Sequence, residues 1–245
     1  MYRSRARTAG ALTAILAALL LLLAACGGTS AGTSAGPTAT PDAATIAQKT
    51  QAAITNIKDA SFNVRIQSSG GSSTQAVSGT GTGKLTRNPE RLDMTLNGTF
   101  AGQQGTVSII TDQPTASAYV QTAQTQGKWV KLPIATLGMT EGIGTLQLQN
   151  PTYVGTDTIN GVKTYHIRGT QSASATATVT SGTPVSASET TDVWVNQQNY
   201  EPVRIVTTGS DGTTTTIDFT AINTGITITP PPDDQVIPLP TGTTP

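Results

Sequence analysis

From Phe62 onward the apolar residues of this chain recur at every second position, and that period limits the possible folds more than any other feature. Phe62, Val64 and Ile66 alternate with Asn63, Arg65 and Gln67, and Leu92, Met94 and Leu96 alternate with Asp93, Thr95 and Asn97. Successive side chains of an extended strand point to opposite faces, so each run buries one face and leaves the other wet. Val77, Gly79, Gly81, Gly83 and Leu85 share one face of the intervening strand. Further strands are expected over 105–110, 116–122 and 128–132, with Gly70-Gly71, Asn88-Pro89, Asn97-Gly98 and Gln126-Gly127 as joints.

The clearest hairpin pairs 153–159 with 162–170 about Asn160-Gly161, the strongest two-residue turn signal. Residues 171–190 are rich in Ala, Ser and Thr and form either a strand pair turning at Ser181-Gly182 or a loose excursion. Strands follow over 191–195, 203–208 and 213–219, with Ser210-Asp211-Gly212 between the last two. Ile226 and Ile228 add a last short strand, and the proline-rich tail after Pro230 frays. About ten antiparallel strands result, in a sheet that must twist and curl. The bare run of Gly79, Gly81 and Gly83 reads either as a weak, bulged strand or as a concave wall kept open for a guest.

Helical spacing is confined to the region before the sheet. Asp42 is placed as an N-cap, and Ile46, Thr50, Ala53, Ile54 and Ile57 recur on one side of a helix over 43–58. Between Pro133 and Pro151 the apolar residues Ile134, Leu137, Met139, Ile143, Leu146 and Leu148 lose the alternation and are interrupted by glycines. A short broken helix or mobile loop is expected there.

The N-terminus addresses the chain outside the cytoplasm. Arg3, Arg5 and Arg7 precede an uncharged apolar segment that ends in Leu23-Ala24-Ala25. That order of basic, apolar and small residues is a secretory signal peptide, with cleavage expected after residue 25. Cys26, the single cysteine, follows directly, and the motif resembles the lipobox of bacterial lipoproteins, whose thiol takes a diacylglycerol. Residues 27–41 repeat Gly, Ser, Thr, Ala and Pro without charge and are read as a flexible tether with a reach of roughly 20 Å. The expected divisions are a signal peptide over 1–25, lipidated Cys26 and tether over 26–41, a folded domain over 42–229 and a tail over 230–245. The localisation expected is the outer side of the cell membrane, held by acyl chains. The remaining chain carries 11 basic and 14 acidic residues, a charge of −3 with no basic block, which argues against nucleic acid as a partner.

Several stretches together resemble the LppX/LprG lipoprotein family, related in fold to the LolA lipoprotein carrier. They are Gly127-Lys128-Trp129-Val130, the run from Val154 to Ile167 about Asn160-Gly161, Asp192-Val193-Trp194-Val195, and Tyr200-Glu201-Pro202-Val203-Arg204-Ile205. The resemblance covers roughly 42–229. It implies an α+β fold in which an antiparallel sheet curls into a half-barrel, with the N-terminal helix and the broken segment over its concave face. It also implies an apolar cavity for acyl chains. In this sequence the residues placed on that cavity wall are Val64, Leu92, Met94, Leu96, Val107, Ile109, Leu137, Met139 and Ile143. Residues 171–190 depart from the family in their lack of large apolar groups.

The residues give little support to catalysis. His166 is the sole histidine, so a site with two imidazoles is excluded, and Gly-x-Ser-x-Gly occurs only in the overlapping Gly-Thr-Ser-Ala-Gly repeat of 28–36, inside the tether, where it flanks no candidate nucleophile. His166 is read as an ordinary strand residue, and Trp129 and Trp194 as core anchors. No cofactor is expected. The function expected is a membrane-anchored, non-enzymatic envelope lipoprotein that binds or carries a lipid or glycolipid, with an export permease as a possible partner. The alternative is a structural or signal-sensing envelope module of the same fold with a filled core.

Overall fold

A computed structural model describes residues 41–68, 78–100, 102–137, 146–172 and 188–238. Helix α1 spans Ala43–Thr55. Asp42 caps it as the sequence requires, its carboxylate accepting from Ala44 N at 3.4 Å and Thr45 N at 3.0 Å. The helix ends at Thr55, three residues short of the expected limit, and the backbone N–H of the capping residue Asn56 turns back to Ala53 and Ile54. Its Ile46, Thr50 and Ile54 are buried, as is Ile57 just beyond it.

Twelve strands follow: β1 Asp59–Gln67, β2 Ser78–Arg87, β3 Glu90–Phe100, β4 Gln103–Asp112, β5 Ser117–Thr122, β6 Trp129–Pro133, β7 Gln149–Ile159, β8 Val162–Ser172, β9 Ser188–Asn196, β10 Pro202–Thr208, β11 Thr214–Ile222 and β12 Val236–Pro238. They form one curled, unclosed sheet in the order β12-β6-β5-β4-β3-β2-β1-β11-β10-β9-β8-β7. Every neighbouring pair is antiparallel except β12 and β6, which run parallel. Among the described residues the count is therefore twelve rather than about ten. The expected last strand at Ile226 and Ile228 is absent, and strand forms instead at Val236–Pro238, inside the stretch read as frayed. Three residues in a proline-rich run are too few to show a period, so only their pairing with Trp129–Lys131 reveals them.

The β7–β8 hairpin turns where expected, with Asn160 at φ 51° and Gly161 at φ 81°, the two left-handed residues of a type I′ turn. β8 and β9 pair through Ser172 and Ser188, so the strand-pair reading of 171–190 holds at both ends, while 173–187 lie outside the described residues.

The segment after β11 crosses the outer face of the sheet. Ile228 is buried with Ile110 and Tyr119, and Trp129, Ile226 and Val236 pack around them. Two acids pin this strap. Asp59 accepts from Thr224 N at 2.8 Å and Gly225 N at 3.1 Å. Burial pushes its carboxyl up, but the N–H groups of Thr224, Ile226 and Gly225 outweigh that and hold it below the usual value. Asp112, buried at the end of β4, pairs with Arg91 at 2.7 Å, and Arg91 Nη1 donates to Ile228 O at 2.9 Å.

Candidate functional site

The main core lies on the inner face of the sheet, and its register lines apolar side chains into rows. One row runs through Tyr153, Ile167, Val193, Ile205, Ile217, Val64, Gly81, Leu96 and Val107, crossing from β7 to β4. The next passes through Phe219, Phe62, Gly83, Met94, Ile109 and Val120. A third takes Ile222, Ala60, Leu85, Leu92, Thr111, Ala118 and Leu132. Helix α1 packs on this face against β7 and β8, and its Ile46 and Ile54 join the same core.

Of the residues placed on the cavity wall from sequence, Val64, Leu92, Met94, Leu96 and Ile109 are all buried in this one cluster. Val107 packs against it half-buried, as does Leu137 from a single helical turn, Ile134–Leu137. That turn, with buried Leu146 and half-buried Leu148 of the same core, is described from the expected broken segment, while 138–145 lie outside the described residues. Met139, Ile143 and Cys26 lie outside the described residues.

The glycines of β2 owe their presence to close approach. A Cβ on Gly83 would sit 2.2 Å from Phe62 Cζ, so the Phe62 ring occupies the space a side chain would take. A Cβ on Gly81 would fall 2.0 Å from the carbonyl oxygen of Thr95, and one on Gly98 2.0 Å from that of Ser78. β2 and β3 therefore approach so closely that no side chain fits between them there. Neither of the two sequence readings describes this: the wall in front of Gly81 and Gly83 is occupied by the protein itself.

Sequence reasoning missed the far end of the interior. Tyr165 lies between Tyr153, at a ring separation of 6.5 Å, and Tyr200, at 6.4 Å. Lys49 of α1 sits 4.6 Å above the Tyr200 ring and donates to its hydroxyl at 3.3 Å. These side chains come from four separate stretches, so no local pattern unites them. Two fully buried hydroxyls, Thr50 Oγ1 and Thr191 Oγ1, have no hydrogen-bond partner.

Trp194 is not a core anchor. It lies on the outer face, stacked on His166 at 4.1 Å, with its indole N–H donating to Asp157 at 3.3 Å. His166 Nε2 is 2.6 Å from Asp192 Oδ1, which also accepts from Arg168 at 2.8 Å. The next strand continues this outer ladder, Arg204 pairing with Asp218, whose hydrogen bonds raise the guanidinium pKa further. Among the described residues no group of three His, Cys, Asp or Glu side chains is placed to hold a metal ion. No helix among them is long and apolar enough to cross a membrane.

A curled open sheet with an apolar inner face and, among the described residues, one covering α-helix defines a mostly-sheet α+β class. The chain belongs to the LppX_LprAFG lipoprotein family, whose model matches residues 42–230. Its fold is similar to that of Mycobacterium tuberculosis lipoprotein LppX, with a TM-score of 0.53 and 18% identity over 77% of this chain and 100% of the other. It is similar again to LprF from Mycobacterium bovis, with a TM-score of 0.58 and 18% identity over 78% of this chain and 99% of the other. Among curated proteins, none matches the sequence.

Proposed function

We propose that this lipoprotein is held on the outer side of the cell membrane by acyl chains on Cys26 and binds a lipid or glycolipid against the inner face of its sheet. The observation that carries the reading is the set of largely apolar rows across the inner face, flanked by α1 and broken at Gly81, Gly83 and Thr111. An acyl chain withdrawn from water is stabilised by about 0.8 kcal/mol per CH₂, so a long apolar track is what a lipid site must supply. The unpartnered hydroxyls of Thr50 and Thr191 add polar anchors that an ester or amide oxygen of the ligand would satisfy. A tethered site stays close to its donor membrane, which raises its effective concentration there. An export permease is the partner class such a carrier would serve.

A second reading, a structural or sensing module with a filled core, is favoured by the Phe62 ring over Gly83. Mass spectrometry of organic extracts from the purified chain separates the two. A stoichiometric acylated species beyond the anchor supports the carrier. Its absence, after purification without detergent exchange, supports the filled module.

A further inference from the structure

One rung beyond the first apolar row, on the same inner face, the sheet changes character. Gly169, Thr191, Thr207, Thr215, Ile66 and Gly79 stand in register from β8 to β2. Thr191, Thr207 and Thr215 are each two residues from an inward member of the apolar row, Val193, Ile205 and Ile217, so they face the same way. Strand spacing sets the three threonines about 4.8 Å apart, and the pleat sets them about 6.8 Å from the apolar row. The two ends of the new row are covered. A Cβ on Gly169 would lie 3.2 Å from Leu148 Cβ, and one on Gly79 would lie 3.7 Å from Phe100 Cζ. Between those covers Thr207, Thr215 and Ile66 are half-buried.

Thr191 is the informative member. It is 0% exposed, and its Oγ1 has no hydrogen-bond partner. The hydroxyls of Thr207 and Thr215 bond to no other described residue either. A buried hydroxyl left unpaired destabilises the fold, and an apolar group of the same shape would not. Valine has that shape, and Val193 and Val195 fill the next two inward positions of β9. Packing alone therefore does not call for the oxygen, whereas a ligand acceptor does. The row holds no charged side chain, so a phosphate or carboxylate would find no cation there. Glu189, one rung further on, is buried and already engaged, and supplies no positive charge. A sugar would bring several hydroxyls into a place that satisfies few of them. An ester carbonyl only accepts, and it stands at the head of an acyl chain, where an apolar row begins one rung away.

Resting on the inner-face reading, we propose that this threonine row binds the ester carbonyls of an acylated lipid, with Thr191 donating to the deeper one. The acyl chains run over the apolar rows, and the headgroup leaves between Leu148 and Phe100. The site therefore prefers ester-linked chains to ether-linked ones.

The test loads the full chain, in a polyoxyethylene ether detergent that carries no carbonyl, with equal amounts of dioleoylglycerol and its dialkyl ether counterpart. Gel filtration removes protein-free micelles, and mass spectrometry counts the two retained lipids. The ester should exceed the ether about three- to tenfold, as one or two net hydrogen bonds give. Thr191→Val should bring the ratio to about one without changing the ether retained. Its melting temperature should stay level or rise, because the unpartnered hydroxyl is gone. With carbon-13-labelled ester, the carbonyl infrared band of the bound lipid should lie at lower frequency in wild type than in Thr191→Val. The same ratio measured on Thr207→Val, at a half-buried position, decides the matter if Thr191→Val fails to fold. A ratio near one in wild type overturns the proposal and leaves the inner-face reading standing, as does a ratio that both variants preserve. Retention of neither lipid beyond the level of protein-free micelles overturns the inner-face reading and this proposal together.

Discussion

Alanine substitutions along β2 measure this close approach directly, because each glycine meets a different obstacle. At Gly105, on β4, nothing lies within 4 Å of an added Cβ, and alanine should stabilise by about 0.5–1 kcal/mol through lost unfolded-state freedom. At Gly79 the nearest atom, Asn97 O, is 3.2 Å away, so the clash and the gain roughly cancel. At Gly83 the Cβ would lie 2.2 Å from a Phe62 ring that is only 5% exposed and cannot swing into solvent. Overpacking of that kind costs about 1–3 kcal/mol, which leaves a net loss of about 0.5–2 kcal/mol. At Gly81 the obstacle is backbone, 2.0 Å from the new atom, so two paired strands must part. A net loss of about 2 kcal/mol or more is expected. Denaturation in guanidinium, followed by the fluorescence of Trp129 and Trp194 with equal slopes required, orders the four variants. Phe62→Leu should also recover part of the Gly83→Ala loss, since the two changes share one volume. If Gly81→Ala and Gly105→Ala unfold at the same midpoint, β2 and β3 do not approach as closely as these distances require.

Met94, in the middle of the second row, separates carrier from filled module: Met94→Trp should leave the melting temperature within a few degrees and reduce co-purified lipid, whereas a close-packed core would lose about 1–3 kcal/mol. Gly161→Val, at φ 81°, should cost about 1–3 kcal/mol by calorimetry, and an unchanged midpoint would mean the hairpin is not tight. The lowered carboxyl pKa of Asp59 gives stability that is present above the unfolded value of about 3.9 and lost as pH falls through the folded value. Asp59→Asn should therefore show a smaller fall in midpoint between neutral and strongly acidic solution than wild type. Cys26→Ala should yield uncleaved precursor or released protein with an unchanged melting temperature, and an acylated, membrane-bound product would refute the anchor reading.

Local chemistry made much of this fold legible in the sequence. The Asp42 cap, the Asn160-Gly161 turn and the inward set of Leu92, Met94 and Leu96 each depend on residues within a few positions of one another. A period of two fixes which side chains share a face before any partner strand is known. What lies opposite a residue depends on register across the whole sheet, and no local pattern encodes that. The occupant of the space before Gly83 is Phe62, and that before Gly81 is β3 itself, so bare glycine could not be told from an open wall. Trp194 and His166 meet across β8 and β9 on the outer face, and the strap from Asn223 to Pro238 finds Ile110, Tyr119 and Trp129 only after the sheet has formed. Alternation told which residues turn inward; only the tertiary structure decided what they meet there, because contacts between strands distant in sequence are set by the order and register of the whole sheet.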